Sequence, residues 1–418
     1  MDEHGYSSSV LEQLVTATAR FASFREATYA VQLAGIDSSE SQVRRLAHEV
    51  GRELVDERDR KAVEQRRRQL PARTAVIPEA VVVEVDGGRI RTRAAAAAPG
   101  VHDAPNQEDK IACLATLRSA TLASDPQPEP PPSWQCPRRV QRLVQQMKGE
   151  AGEATSPAIL PESAPPAAPV AEGEEPERWS PERLVRTWVA RLEASSSFGP
   201  MLAAEAQQRH FYEATRRAFV ADGLAYNWAI QQGYFRAFEP IVDFLPVLCY
   251  VYAAAQAVRA EPSSGWSQYL AGMRACWQGR AAEVLQELEV WQARLGLPPP
   301  GEARSAEDRR DPRRVVAEAR SYLRNNQQRM DYPRYRRMGL PMTSSLVESL
   351  VGEFNARVQS KQKYWTRPPG AESVLQLRAA LLSEEDRLSR YVASRPGNPF
   401  RKKRRATKSA PQTAQTAT

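Results

Sequence analysis

Arg217–Asp243, RAFVADGLAYNWAIQQGYFRAFEPIVD, is the stretch from which the fold can be read. It opens with a short apolar run that ends at Asp222-Gly223. The next segment, LAYNWAIQQ, is helical in composition and closes at Gly233, and Ala237–Asp243 is a second short run that again ends in aspartate. Two strands in succession, each ending in an acid and each leading into a helix, predict a β-α-β-α passage with a parallel pair. Acids at the carboxyl ends of parallel strands stand where such sheets build their sites.

Upstream, Ala80–Asp86 is a β-rich run that reaches Gly87-Gly88 and is followed by Arg89–Arg93, the pattern of a hairpin with a two-glycine turn. Lys110–Ser119 reads as a third strand. Glu84 and Asp86 share one face of the first, opposite Val83 and Val85. Asp86 reads either as a functional acid at a strand end or as a turn-forming aspartate before glycine. Ser180-Pro181 marks a helix start, with the helix expected to reach Ser195. Downstream, Leu245–Arg259, Trp266–Leu295 and Pro312–Arg329 carry tryptophan and leucine at helical core spacing, with Pro246 tolerated in a first turn.

Met342–Trp365, MTSSLVESLVGEFNARVQSKQKYW, predicts a helix with Val347, Leu350, Val351, Phe354 and Val358 on one buried face. Glu348 lies at the edge of that face, in a stripe with Gly352 and Asn355. Ser345 and Glu348 also spell a capping box, in which the glutamate would only close its own helix. Arg357, Lys361 and Lys363, with Tyr364 and Trp365 behind them, suit a phosphate backbone.

Residues 8–69 read as helical, broken near Phe21–Phe24 and at Gly35–Ser39. Val43, Leu46, Ala47, Val50 and Leu54 recur at helical spacing after the second break, a helix-turn-helix pattern that a plain three-helix bundle would also produce. In the first case Ser41, Gln42, Arg44 and Arg45 occupy the exposed start of a recognition helix. Arg52–Gln69 reads as a solvated, mixed-charge linker.

A chain of 418 residues with 42% hydrophobic residues can hold two or three domains. Its net charge of +8, carried almost wholly by arginine, favours a polyanionic partner. Four scattered cysteines and four histidines have no metal-ligand spacing, which sets aside a zinc site and a disulfide framework. No apolar run approaches the length of a membrane span, and a soluble protein of a reducing compartment is expected. Residues 121–178 are rich in proline, alanine and glutamate, with only Trp134–Gly149 forming a short basic helix. The tail at Arg401–Arg405, RKKRR, is basic.

Together VVVEVDGGRIRTR, FVADGLAYNWAIQQGYF with IVDFLPVLCYVY, and PMTSSLVESLVGEFNARVQSKQKYW resemble the three catalytic blocks of DDE transposases of bacterial insertion sequences, close to their Mutator-like branch. The resemblance covers roughly 74–120 and 180–395. It implies an α/β fold: an RNase H-like mixed sheet with a helical insertion, preceded by an all-α helix-turn-helix region. It implies that Asp86, Asp222 and Glu348 are the catalytic, metal-holding triad, with Asp243 as the alternative second acid. Gln42, Arg44, Arg45, Asn355, Arg357, Lys361, Lys363 and Trp365 would face DNA. Two Mg²⁺ ions, with Mn²⁺ as substitute, suit three carboxylates. The implied partners are double-stranded DNA, as inverted-repeat ends and target, and further copies of the chain on that DNA, without a membrane. The implied location is the bacterial cytoplasm, at the nucleoid when bound.

Similar transposases commonly carry a histidine three residues after the aspartate corresponding to Asp243, where this chain has Pro246. That departure leaves open a decayed or repurposed DNA-binding protein on the same scaffold, beside a host nuclease of the same fold. The organisation expected is a helical DNA-binding region over 1–70, a first core part over 74–120, a flexible insertion over 121–178 and a second core part over 180–248. A helical insertion over 249–340, the third-acid helix with C-terminal helices over 341–395 and a disordered basic tail over 396–418 complete it.

Overall fold

The computed structural model describes residues 6–92, 106–147, 179–192, 197–301, 305–343, 365 and 368–395. The protein is a mixed α/β molecule with an N-terminal helical region and a central mixed sheet flanked by helices. Strands β1 (Ala80–Arg91), β2 (Asn106–Arg118), β3 (Glu182–Arg191), β4 (Arg216–Ala221) and β5 (Glu239–Val242) lie in the order β3-β2-β1-β4-β5. β1, β4 and β5 are mutually parallel, and β2 runs antiparallel to both of its neighbours. Val81, Val82 and Val83 are fully buried, as expected of a central strand covered on both faces.

Two local expectations fail here for the same reason, that strand pairing overrides local signals. Gly87-Gly88 is not a hairpin turn: β1 continues through it, opposite Lys110 and Asp109, and pairs with β2 as far as Arg91. A two-residue hairpin turn would need positive φ at a central residue, which the extended ladder does not allow. The segment after Ser180-Pro181 is strand β3 rather than a helix, with Val185, Thr187 and Val189 on one face.

The N-terminal region comprises α1 (Ser8–Arg20), α2 (Phe24–Leu33) and α3 (Glu40–Arg66). α2 and α3 are joined through Gly35, whose φ of +82° requires glycine. α3 runs for 27 residues, so the expected linker at Arg52–Gln69 is largely its second half. Helices from the other end of the chain, α13 (Pro368–Leu382) and α14 (Arg387–Ser394), close a core with them, in which Leu14, Val43, Leu46 and Val50 meet Leu377, Leu388 and Val392.

α5 (Phe198–Gln208) connects β3 to β4, and α6 (Ala225–Tyr234) connects β4 to β5. A helical block follows: α7 (Phe244–Ala257), α8 (Pro262–Trp277), α9 (Ala281–Leu295), α10 (Ala306–Arg310), α11 (Pro312–Asn326) and α12 (Tyr332–Arg337). The expected Trp266–Leu295 helix is thus two helices, parted at Gly279 with φ +75°. The segment expected to be a flexible insertion is, over 121–147, built into this block. Trp134 stacks on Phe244 with ring centroids 4.9 Å apart and meets Trp277 edge-on, and α4 (Pro137–Met147) follows it. The fully buried Arg336 pairs with Asp125 and lies 4.2 Å over the Trp277 ring. Among the described residues no helix is long and apolar enough to cross a membrane.

The α3–α13 crossing is close enough that a Cβ on Gly51 would lie 2.4 Å from the Ser373 carbonyl oxygen. Gly51→Ala should therefore lower stability by about 1–3 kcal/mol through overpacking, measured as a lower urea midpoint. An Ala variant more stable than wild type, as helix propensity alone would give, would show that the two helices do not cross there.

Candidate functional site

The three parallel strands share one register. Val85 pairs with Ala221, and Ala221 pairs with Val242. The next residue of each strand is an acid, so Asp86, Asp222 and Asp243 form a row across the carboxyl ends of β1, β4 and β5. The ladder reaches this rung, because the Asp243 N–H donates to the Ala221 carbonyl at 2.8 Å. Neighbouring strands lie about 4.8 Å apart, so the row concentrates negative charge on one sheet edge.

The three carboxyls are held differently. Asp86 accepts from the Gly87 N–H at 2.7 Å. Its pKa is nevertheless pushed up from 3.8 to about 6, chiefly by burial, with the charges of Asp222 and Asp243 adding to the rise and Lys110 opposing it. Asp222 Oδ1 accepts from the Leu224 N–H at 3.1 Å and from Asn227 Nδ2 at 2.8 Å. Burial raises its pKa, while those two bonds and Lys110 work against the rise. Asp243 is buried and its Oδ1 caps α7 by accepting from the Leu245 N–H at 2.9 Å. Pro246 falls in the first turn of α7, where no intrahelical N–H is lost.

Side chains that sequence reading did not single out complete the surroundings. Lys110 on β2 is 0% exposed, pairs with Glu108, and places Nζ 3.5 Å from the ring centroid of Tyr226. A Cβ on Gly87 would lie 3.2 Å from Tyr226 Oη and 3.5 Å from Lys110 Nζ, so glycine here lets the ammonium and the phenol close over β1. On the far side, Tyr322 of α11 donates from Oη to the Asp222 carbonyl at 2.8 Å and stacks on Tyr250 at 4.1 Å. Its hydroxyl pKa is driven well up by burial and then by Asp243 and Asp222, which keeps it a donor. Gly223 has φ +93°, and a Cβ there would strike the Tyr322 ring at 2.8 Å. The one available signal was Lys110 itself, a lone cation heading the apolar run IACLATL; Tyr322, about a hundred residues from Asp222, left none.

Glu348, Asn355, Arg357, Lys361 and Lys363 lie outside the described residues. The positions flanking them are described. The Met342 carbonyl accepts from the Phe244 N–H at 3.1 Å, beside Asp243, and the Trp365 N–H donates to the Arg91 carbonyl at 2.9 Å, at the end of β1. Among the described residues no group of three His, Cys, Asp or Glu side chains is arranged to hold a metal ion. Asp86 and Asp222 offer two hard oxygen donors whose mutual repulsion a divalent cation would relieve. In the N-terminal region Arg45 is exposed, Arg44 pairs with Glu40 and lies over Phe24, and the Gln42 side-chain oxygen is used in a capping box with Ser39. Compared with known proteins, the chain matches no family model and no curated protein.

Because the pKa of Asp86 is higher in the folded state, its contribution to stability is fully present below about pH 4 and is lost as pH rises through about 6. Asp86→Asn should therefore be more stable than wild type at neutral pH by about 1–3 kcal/mol, the gap closing near pH 4. Urea unfolding of both proteins across that range checks this, and a gap that does not change with pH would refute it.

Proposed function

We propose that this protein is a DDE-type transposase that binds the ends of a mobile DNA element and catalyses metal-dependent strand cleavage and transfer. The observation that carries the reading is the row of Asp86, Asp222 and Asp243 across the carboxyl ends of three adjacent parallel strands. The order β3-β2-β1-β4-β5, with β2 the antiparallel strand, agrees with an RNase H-like core and supports it. Further support comes from Met342, whose carbonyl accepts from the residue after Asp243, and from Trp365, whose N–H donates to Arg91 farther along the strand that carries Asp86.

In this reading Asp86, Asp222 and Glu348 hold the metal, and Asp243 remains the cap of α7. Two Mg²⁺ ions, or Mn²⁺ in their place, would activate the attacking water or 3′-hydroxyl and stabilise the leaving oxygen. The protein's own part is placement. Asn227 and the Leu224 N–H fix one oxygen of Asp222, Tyr322 anchors its backbone, and Lys110 supplies a fixed positive charge that offsets the acids. Double-stranded DNA is the partner, engaged by several copies of the chain, with the exposed start of α3 around Arg45 as one contact.

A second reading, a non-catalytic DNA-binding protein on the same scaffold, is favoured by the position of Lys110, whose charge partly offsets Asp86 and Asp222 without a metal ion. Incubating DNA carrying the flanking repeats with wild type, Asp86→Asn and Glu348→Gln separates the two. Nicking at the repeat boundary that requires Mg²⁺ or Mn²⁺, stops with chelator and falls at least about a thousandfold in both variants is expected. Binding without cleavage by any of the three would establish the second reading, and hydrolysis without end joining would point to a nuclease.

A further inference from the structure

Helix α4 has an uneven charge distribution that the acidic site does not explain. Its sequence, PRRVQRLVQQM, contains three arginines and no acid. Val140 and Val144 are buried in the main core, while Arg138, Arg139 and Arg142 are exposed. Some exposed arginines elsewhere are neutralised by a neighbour, as in Arg60–Glu64, Arg118–Glu182, Arg274–Glu129 and Arg324–Glu289. Arg138 and Arg142 have no ion-pair partner among the described residues. The elements α4 chiefly packs on, the turn at Pro132–Gln135 and helix α7, contain no Asp or Glu.

The placement of α4 gives this face a direction. Trp134, three residues before α4, stacks on Phe244, the residue after Asp243. Tyr269 Oη donates to the Trp134 carbonyl at 2.8 Å, and Gln141 lies beside the Tyr252 hydroxyl one turn from the far end of α7. α4 therefore starts beside the acid row and runs along α7 away from it. Arg138 and Arg142, four apart, stand on one side of the helix, with Arg139 next to them.

We propose that the exposed face of α4 is a contact surface for the sugar-phosphate backbone of duplex DNA leading to or from the acidic site. The inference rests on the reading of the protein as a DNA-processing enzyme and adds to it a binding element within the Pro-rich segment. The forks of Arg138 and Arg142, four residues apart on one helix and without an ion-pair partner among the described residues, suit phosphates rather than base edges, so the contact is insensitive to sequence.

The test is fluorescence anisotropy with labelled duplexes, one carrying a repeat end and one unrelated, in chelator so that no cleavage occurs. It compares wild type with the triple variant Arg138→Gln, Arg139→Gln, Arg142→Gln. All three side chains are exposed, and unchanged circular dichroism and melting temperature verify the fold. The variant should bind both duplexes more weakly by the same factor, and its slope of log affinity against log salt should be shallower by about 2–3. An unchanged slope in a protein that still binds and cuts DNA would overturn the inference alone. Failure of wild type to bind either duplex would overturn it together with the proposed function. Loss of binding to anionic phosphatidylserine vesicles, with DNA binding intact, would assign the face to a membrane surface instead and equally overturn it.

Discussion

The structure depends on β1 being hydrogen-bonded along both of its edges. β2 pairs with it in antiparallel register from Ala80 to Arg91, and β4 pairs with it in parallel register from Ala80 to Val85. As a central strand covered on both faces, β1 buries Val81, Val82 and Val83, and a one-residue slip would move its acids, Glu84 and Asp86, to the other face. The same register carries Asp86 to the rung of Asp222 and Asp243, so the sheet core and the candidate site follow from one set of hydrogen bonds.

The edge of the sheet at β3 is closed by side chains of the C-terminal segment and of α3. Ser383 Oγ accepts from the Trp188 N–H, Glu384 from the Arg186 N–H and Glu372 from the Leu192 N–H, while Gln376 and Arg58 donate to the Ala190 carbonyl. An open edge would be a template for pairing with another chain, and these contacts remove it. They also make α13 a bridge, since its other side enters the N-terminal helical core through Leu377 and Ala380. The N-terminal helices are in this way tied to the sheet by the far end of the chain.

At the carboxyl ends of β1, β4 and β5, charge has to be managed in little water. Burial, and then the charges of Asp222 and Asp243, raise the pKa of Asp86, and the protein opposes this with Lys110, buried under Tyr226, while donors are spent on Asp222 and Asp243. The helical block takes part directly, because Tyr322 reaches the Asp222 backbone and Gly223 yields the space for its ring. The block is thus a wall of the site.

The parallel pair and its two terminal acids were legible in Arg217–Asp243, because a strand ending in an acid and leading into a helix is a local pattern. The Gly35 turn and the heptad-like spacing of Val43, Leu46 and Val50 were legible for the same reason. Gly87-Gly88 and the Ser180-Pro181 helix signal misled, since extended pairing with β2 outweighed preferences worth a fraction of a kcal/mol per residue. Asp125 looked like part of a loose Pro-rich segment and Trp134 like the start of a short helix within it, and their anchors, Arg336 and Phe244, are more than a hundred residues away. The sequence by itself determined which segments carry acids at strand ends. Only the tertiary structure decided that Val85, Ala221 and Val242 share a rung, which aligns those acids and brings Lys110 and Tyr322 to them, because register and long-range packing are set by the whole sheet.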